Sequence, residues 1–274
     1  MHSKLTHEYG FTDFVDNTIE AIEYAHSNGL RFLEINFSKK KSPVSALSDE
    51  QIILIKNRAF ELGITLSFHI PFTENISDIV PFGRNKSIKT LRSFIRVAGK
   101  LNANSITIHP GIFYWFPVEK VMREKSLVRL VKGLKELLIT CSEENVKIAL
   151  ENLVPIPQGS EFFFLGDNVD DFKFIFKNIQ SEFLGLCLDT GHANMAEGVE
   201  TYIKELGDHI LTLHFHDNLK VNDNHMVIGE GNINWELVCE RLTELKYTGP
   251  LISECRDIEP HKAAQLFEEK FHSK

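Results

Sequence analysis

The sequence lacks the features that mark membrane, secreted and redox proteins. No apolar run approaches the roughly 18 residues that a transmembrane helix needs. The first ten residues contain neither an apolar h-region nor a small-residue cleavage site, so we expect a cytoplasmic location and no membrane partner. The four cysteines are far apart and form no Cys-x-x-Cys pair, which indicates reduced, packed thiols.

An excess of positive charge is also absent. The formal net charge of -8 gives the chain no general attraction to nucleic acid or to an anionic membrane, although a local basic patch would still provide one. With 43% hydrophobic and 25% charged residues, the composition is that of a globular protein and excludes a disordered or collagen-like polymer.

Short apolar runs alternate with longer amphipathic stretches along the whole chain, a pattern typical of βα units and a parallel sheet. The runs predict strands at 31–37, 64–68, 105–109, 147–150, 184–188, 210–214 and 250–253. The amphipathic stretches predict helices at 17–27, 48–62, 88–101, 119–144, 170–179, 199–206, 235–245 and 260–271.

Seven strands and eight helices fit an α/β fold, a (β/α)8 TIM barrel whose first strand is short or degenerate within residues 1–11. Barrels of this type occupy about 250 residues, so we expect residues 1–274 to form one domain. A doubly wound open sheet would give the same alternation, but no Gly-x-Gly-x-x-Gly motif follows any early strand.

Residues that bind metals or move protons follow six of the predicted strands. They are His69, His109, Glu151, Asp189 with His192 three residues later, His214 and Glu254. In a parallel barrel all strand carboxyl ends open onto one face, so these side chains should converge there. Imidazole and carboxylate donors without thiolate suit Zn, Mn, Fe or Co.

The loop after His214 contains a second pair of donors. Asp223 and His225 are two residues apart and can face one ion if this loop folds back over the barrel mouth. An Asp-x-His pair alone is weak evidence, but here it follows a strand that already ends in a candidate ligand.

Together these motifs resemble the xylose isomerase-like barrels, which include sugar-phosphate isomerases and epimerases and the endonuclease IV (AP endonuclease 2) family. The matching segments are His69-Ile-Pro, Ile-His109-Pro-Gly, Leu-Glu151-Asn, Leu-Asp189-Thr-Gly-His192, Leu-His214-Phe-His-Asp, Asp223-x-His225-x-x-x-Gly-Glu-Gly and Ser-Glu254. In the isomerase branch the resemblance implies one divalent ion held by Glu151, Asp189, His214 and Glu254. In the endonuclease branch it implies three zinc ions shared among all nine positions: His69, His109, Glu151, Asp189, His192, His214, Asp223, His225 and Glu254.

The two branches imply different chemistry at the same face. In an isomerase or epimerase of a sugar or sugar phosphate, Glu151 and Glu254 would transfer a proton through an enediolate, and His192 and His216 would bind substrate. In a phosphodiesterase acting on abasic DNA, zinc ions would activate water, and basic loops would grip the backbone. Lysines at 39–41, together with Arg84, Lys86 and Lys89, would form a basic rim around the barrel mouth, and Phe72 is placed to insert into a duplex.

The loops favour the isomerase. Leu-Val-Pro-Ile-Pro at 153–157 replaces the endonuclease family's glycine-rich stretch, and the short loop between His214 and Asp223 has no arginine. Aromatic segments at 113–116 and 162–164 should form loops over the metal face, where Trp115 and Phe72 would contact a small substrate, or should instead form a contact in a homo-oligomer. A metal- or sugar-binding sensor without turnover is a third class, although the chain keeps both glutamates.

Overall fold

Parallel strands form the centre of the molecule. The computed structural model describes residues 5–38, 46–114, 119–157 and 159–272. Within these ranges the strands are β1 (Tyr9–Phe14), β2 (Phe32–Asn36), β3 (Thr65–His69), β4 (Ser105–Ile108), β5 (Ile112–Tyr114), β6 (Lys147–Glu151), β7 (Phe162–Phe164), β8 (Leu184–Asp189), β9 (Ile210–Phe215) and β10 (Leu251–Ser253). All except β5 and β7 join a closed barrel in the order β1-β10-β9-β8-β6-β4-β3-β2. The predicted (β/α)8 TIM barrel is confirmed.

Helices connect the barrel strands and pack against one another along the chain. They are α1 (Thr18–Ser27), α2 (Asp49–Leu62), α3 (Pro81–Lys100), α4 (Glu119–Glu144), α5 (Val169–Asn178), α6 (Thr190–Met195), α7 (Val199–Leu206), α8 (Trp235–Glu244) and α9 (Pro260–His272). None of the helices in the described ranges is both long enough and apolar enough to cross a membrane.

Side-chain caps mark where several helices begin. The Ser48 hydroxyl accepts a hydrogen bond from the Gln51 amide, and the Gln51 side chain accepts one from the Ser48 amide, before α2. Asn168 and Asn234 accept comparable bonds before α5 and α8. Helix α3 begins at Pro81, seven residues before the predicted start, because proline is tolerated at the first helical position.

The first strand corrects the expectation of a short or degenerate element. Strand β1 has six residues and pairs in parallel with both β2 and β10, which closes the barrel. Gly10 makes this pairing close, since a Cβ there would lie 2.5 Å from the Cβ of Phe32. The strand has no continuous apolar run because its carboxyl end is at the barrel mouth, where Thr12 donates a hydrogen bond to Glu34.

The cysteines match the expectation of reduced thiols. Cys141, Cys187 and Cys239 are buried, Cys255 is half-buried, and all four are free. Burial raises the pKa of the Cys141 and Cys239 thiols to about 12, which keeps them protonated and unreactive.

A buried carboxylate ties the segment before β1 to the last helix. Glu268 on α9 is 1% exposed and accepts hydrogen bonds from Thr6 Oγ1, from His7 Nδ1 at 2.9 Å and from His272 Nε2 at 3.1 Å. Burial opposes ionisation, but the hydrogen bonds from Thr6 and His7 outweigh it and lower the pKa of Glu268 to about 2. The ionised carboxylate therefore stabilises the amino-terminal end of the barrel.

We expect Glu268→Gln to lower the free energy of unfolding by about 2 kcal/mol at pH 7, because hydrogen bonds to a charged group contribute roughly 1.5–3 kcal/mol. A depressed carboxyl pKa stabilises the fold above the unfolded value of 4.5, and this contribution is lost as the pH falls toward 2. Urea unfolding at a series of pH values should show the difference between wild type and variant narrowing below about pH 5. Glu143→Gln, at an exposed position of α4, is the control, and a difference that stays constant down to pH 3 would contradict the assignment.

Candidate metal centre

A cavity opens at the carboxyl ends of the barrel strands, the face at which barrel enzymes place their active sites. Its volume is about 480 Å³, and small-molecule sites occupy roughly 300–1,000 Å³. His69, His109, Glu151 and Glu254 from strand ends line it, together with His192, Asp223 and His225 from the connections that follow β8 and β9.

Glu151 lies at the centre of the clustered side chains. It ends β6 and is 1% exposed. Its Oε2 lies 3.0 Å from Nε2 of His109 and 3.4 Å from Nε2 of His69, and its Oε1 lies 3.4 Å from Nδ1 of His214. Histidines from separate strands therefore approach both oxygens of this carboxylate.

His214 stands between acidic groups on opposite sides of its ring. Its Nδ1 lies 3.4 Å from Glu151 Oε1 and 3.3 Å from Glu254 Oε1. Its Nε2 lies 3.2 Å from Oε2 of Glu34, whose other oxygen accepts a hydrogen bond of 2.8 Å from Thr107. Glu34 thus lies against the edge of the imidazole opposite the two glutamates, although His214 Nε2 makes no hydrogen bond among the described residues.

Sequence reasoning missed Glu34. It lies in the middle of β2, is 1% exposed, and points into the barrel. A signal was present, since a charged residue inside an otherwise apolar strand is rarely buried unless it is paired or bound to a metal.

Asp189 joins β8 to α6 and organises two histidines. Its Oδ1 caps α6 by accepting a 2.7 Å hydrogen bond from the His192 amide. Nε2 of His216 lies 3.1 and 3.2 Å from its two oxygens. The His192 ring donates from Nδ1 to the carbonyl of Asn152 at 2.8 Å, which leaves Nε2 directed at Asp223.

Asp223 receives two imidazoles at a single oxygen. Its Oδ2 lies 3.1 Å from Nε2 of His225 and 3.4 Å from Nε2 of His192. His225 donates from Nδ1 to the Glu254 carbonyl at 3.0 Å. Each of the two histidines therefore donates a hydrogen bond from Nδ1 to a backbone carbonyl and directs Nε2 toward Asp223, which is the usual arrangement of metal-binding histidines.

Several buried polar atoms fit a divalent cation better than they fit one another. Glu151 Oε2, His214 Nδ1 and Asp223 Oδ1 are buried and have no hydrogen-bond partner among the described residues. Glu151 Oε2 is unpartnered even though His109 Nε2 is 3.0 Å away, because the orientation is wrong for a hydrogen bond. An unsatisfied buried polar group costs roughly 1–3 kcal/mol, which a cation among these donors would offset.

The pKa values of the clustered histidines and carboxylates are shifted by burial and by one another. Burial opposes a charge on His69 and His192, but neighbouring carboxylates outweigh it and raise their pKa values to about 9 and about 10. Burial wins at His109, whose pKa is lowered. The surrounding histidines hold the pKa of Glu151 and of Asp223 well below the usual range against burial. These carboxylates are therefore anionic and available to a cation.

The structure brings all nine predicted ligands into one cluster at the barrel mouth. Each belongs to a set of donor atoms that lie within 4.8 Å of one another or makes one of the contacts above: His69, His109, Glu151, Asp189, His192, His214, Asp223, His225 and Glu254. Their convergence matches the sequence expectation, while their role as ligands stays a prediction.

The predicted substrate-binding residues are placed less uniformly. His216 is fully buried between Asp189 and the ring of His225, on which it stacks at 4.0 Å. Phe72 is 36% exposed and contacts the His109 ring edge-on at 4.8 Å, so it lies beside the cluster. Trp115 is outside the described residues. Substrate contacts by these three stay predictions.

The expected basic rim is only partly described. Lysines 39–41 lie outside the described residues, and Arg84 donates to the backbone carbonyl of Asp78 at 2.6 Å. Among the described residues that line the cavity, Arg256 is the only lysine or arginine. Sequence reasoning did not single out Arg256, whose one signal was its position two residues after Glu254.

Residues 113 and 114 of the first aromatic segment and residues 162–164 of the second, which were expected to form loops, instead pair in β5 and β7, an antiparallel ribbon; residues 115 and 116 lie outside the described residues. They leave the ends of β4 and β6, which are neighbours in the barrel, and aromatic residues favour strands. Phe113 stacks on Phe163 at 5.5 Å, and Phe164 contacts Phe72 at 5.2 Å. The ribbon thus reaches the metal face through Phe72.

Comparisons with known proteins agree with this architecture. The family model for xylose isomerase-like TIM barrels matches residues 22–270. The chain is 30% identical over 222 residues to uncharacterized protein MJ1311 of Methanocaldococcus jannaschii, covering 77% of this chain and 71% of that protein.

Two further similarities represent the two branches. A probable endonuclease 4 of Acholeplasma laidlawii is 22% identical over 222 residues, covering 79% of this chain and 72% of that protein. The crystal structure of a D-tagatose 3-epimerase-like protein superposes with a TM-score of 0.81 at 25% identity, covering 97% of each chain.

Proposed function

The chain belongs to the xylose isomerase-like TIM barrel family, and from that premise we propose that it is a divalent-metal-dependent isomerase or epimerase of a small sugar or sugar phosphate. The observation that carries the proposal is the pair of glutamates at the cavity. Glu151 and Glu254 lie 3.4 and 3.3 Å from the same nitrogen of His214 and both line the cavity. Two carboxylates that meet a substrate from different strands are suited to removing a proton and returning it.

Glu151, Asp189, His214 and Glu254 would hold the ion. When bound, a divalent cation would polarise a sugar carbonyl and its neighbouring hydroxyl and so lower the cost of an enediolate. Glu151 and Glu254 would act on the carbon next to that carbonyl, one taking the proton and the other supplying one. His192 at the cavity wall would orient the substrate.

The size and charge of the cavity support a small substrate. Its 480 Å³ fits a monosaccharide, and Arg256 is the only lysine or arginine in its described lining. Duplex binding depends on many phosphate contacts from such residues, whereas one arginine suffices for the phosphate of a sugar phosphate.

A second candidate is a zinc phosphodiesterase acting on abasic DNA, of the endonuclease IV type. The geometry of His192, Asp223 and His225 favours it, since these three offer a donor set beyond the four residues that a single-ion isomerase requires. Relatives named probable endonuclease 4 point the same way. This candidate would use three zinc ions, and Glu151 would help to hold them rather than take a proton from a substrate carbon.

Metal analysis and two assays separate the candidates. We expect one manganese or cobalt per active chain, and solvent deuterium at the epimerised carbon when ketoses and ketose phosphates are incubated in D2O. Three zinc ions with clean cleavage of an abasic-site duplex, and no deuterium uptake by any sugar, would refute the isomerase in favour of the phosphodiesterase.

A further inference from the structure

Two of the clustered donors come from the loop between β9 and α8 and not from a barrel strand. Asp223 and His225 lie in this loop, whose backbone is irregular from residue 218 to residue 225. Metal sites need donors fixed in place, and loops supply such precision only when buried contacts hold them.

Asp217, at the start of this loop, makes those contacts. It is fully buried. Its Oδ1 accepts hydrogen bonds from the amides of Asn218 at 2.9 Å and Ile233 at 3.2 Å. Its Oδ2 accepts from the amide of Gly229 at 3.0 Å and from the indole Nε1 of Trp235 at 2.8 Å. One carboxylate thus joins the beginning of the loop to its end and to the first residue of α8.

The backbone next to His225 is tied to the same residue. The amide of Asp217 donates to the carbonyl of Met226 at 2.9 Å, and the amide of Met226 donates back at 2.8 Å. Later in the same loop, Gly231 permits the carboxylate to approach, because a Cβ there would lie 2.1 Å from Asp217 Oδ1. The loop segments that precede and follow Asp223 and His225 therefore both contact the Asp217 carboxylate.

The next residue connects the loop to the helix that carries His192. The Asn218 side chain donates to the carbonyl of Gly191 at 2.8 Å and accepts from Asn194 at 2.9 Å. Because His192 lies between these two residues, the loop and α6 are held in one network. That network sets the distance from His192 to Asp223.

We infer that Asp217 is a positioning residue, which holds Asp223 and His225 in register with His192 and Glu254 without touching the ion or the substrate. The inference rests on the proposed metal-dependent function. It adds a supporting role for the Asp217 carboxylate, which among the described residues accepts hydrogen bonds from three backbone amides and one indole.

The test is Asp217→Asn in the full chain, with Co2+ alone as the probe. The amide keeps the size of the side chain but turns an NH2 group toward two N–H donors, so the loop loses its anchor. We expect cobalt affinity to fall roughly 10–100-fold, the range for residues that support metal ligands, because His225 of this loop donates a hydrogen bond to the carbonyl of Glu254, one of the four proposed ligands. Trypsin should also cleave faster after Lys220, which is exposed within the loop. Asp208→Asn, at an exposed site before β9, is the matched control and should leave both unchanged.

A double mutant separates positioning from a general loss of stability. In a His225→Ala background, Asp217→Asn should weaken cobalt binding little further, because the hydrogen bond through which the loop supports Glu254 is already gone. If Asp217→Asn does not fold, Trp235→Phe removes one donor to the carboxylate while keeping its charge, and should produce both effects in milder form.

The outcomes are distinct. Wild-type cobalt affinity together with wild-type cleavage at Lys220 in Asp217→Asn would overturn the inference. If the wild-type chain binds no cobalt, zinc or manganese, the proposed function fails instead, and the trypsin measurement still decides whether Asp217 orders the loop.

Discussion

Glu151→Gln is expected to abolish turnover while leaving the barrel folded. The amide keeps the shape of the side chain but loses the charge on which His69, His109 and His214 converge, at 3.4, 3.0 and 3.4 Å. General acid–base catalysis contributes roughly 10²–10⁴-fold, and the loss of a metal ligand adds to this. We therefore expect kcat/KM to fall by at least about 10³-fold, measured on the sugar found by deuterium uptake.

Glu254→Gln tests the partner in proton transfer. This substitution should lower kcat/KM as much as Glu151→Gln does, because a proton removed on one side of the substrate can no longer be replaced from the other side. Deuterium exchange without net epimerisation in one of the two variants would identify the remaining glutamate as the base. Circular dichroism should match wild type, and Glu143→Gln should retain full activity. Unchanged turnover in both active-site variants would exclude the proton-transfer mechanism.

Removal of divalent cations is expected to inactivate the protein and to lower its melting temperature by roughly 10 °C. At 1,000 times its dissociation constant, an ion that binds only the native state stabilises it by about 4 kcal/mol, and each kcal/mol shifts the melting temperature of a chain of 150–250 residues by roughly 2–4 °C. The structure supports a large effect, because Glu34, Glu151 and Asp189 are buried carboxylates at 1%, 1% and 0% exposure.

Differential scanning fluorimetry after dialysis against a chelator, followed by return of manganese, cobalt or zinc, measures this effect. The ion that restores both melting temperature and turnover identifies the metal. Glu151→Gln should show a smaller metal-dependent shift than wild type, which assigns the effect to this cluster rather than to surface carboxylates. Equal melting temperatures with and without the chelator would contradict a metal centre here.

Much of the fold could be predicted because a buried parallel strand leaves a strong local signal. The apolar runs at 64–68 and 184–188 correspond to β3 and β8 within one residue at each end. This apolar signal fails where a strand is stabilised by its pairing with neighbouring strands and not marked by an apolar run. Strand β1 is held by two neighbours and the close approach at Gly10, and the β5–β7 ribbon forms because two loops leave adjacent strands.

The candidate site likewise contains residues that the sequence could predict and residues that it could not. Donors at strand ends, such as His109 and Glu151, were predictable, since one position relative to a strand places a residue at the mouth of any parallel barrel. Glu34 was missed because it lies inside a strand, and only barrel closure brings it within 3.2 Å of His214. Asp217 was missed because its partners, Gly229, Ile233 and Trp235, are 12 to 18 residues away along an irregular loop.

The sequence by itself determined the barrel and the chemical type of its open face, because strand periodicity and the residue that follows each strand are local properties. The tertiary structure decided which nitrogen of His192 and His225 is free for a cation and which carboxylate lies against the far edge of His214. It also decided that His216 is buried rather than exposed at the cavity. These properties depend on contacts between segments far apart in the chain, and such contacts exist only once the barrel has closed.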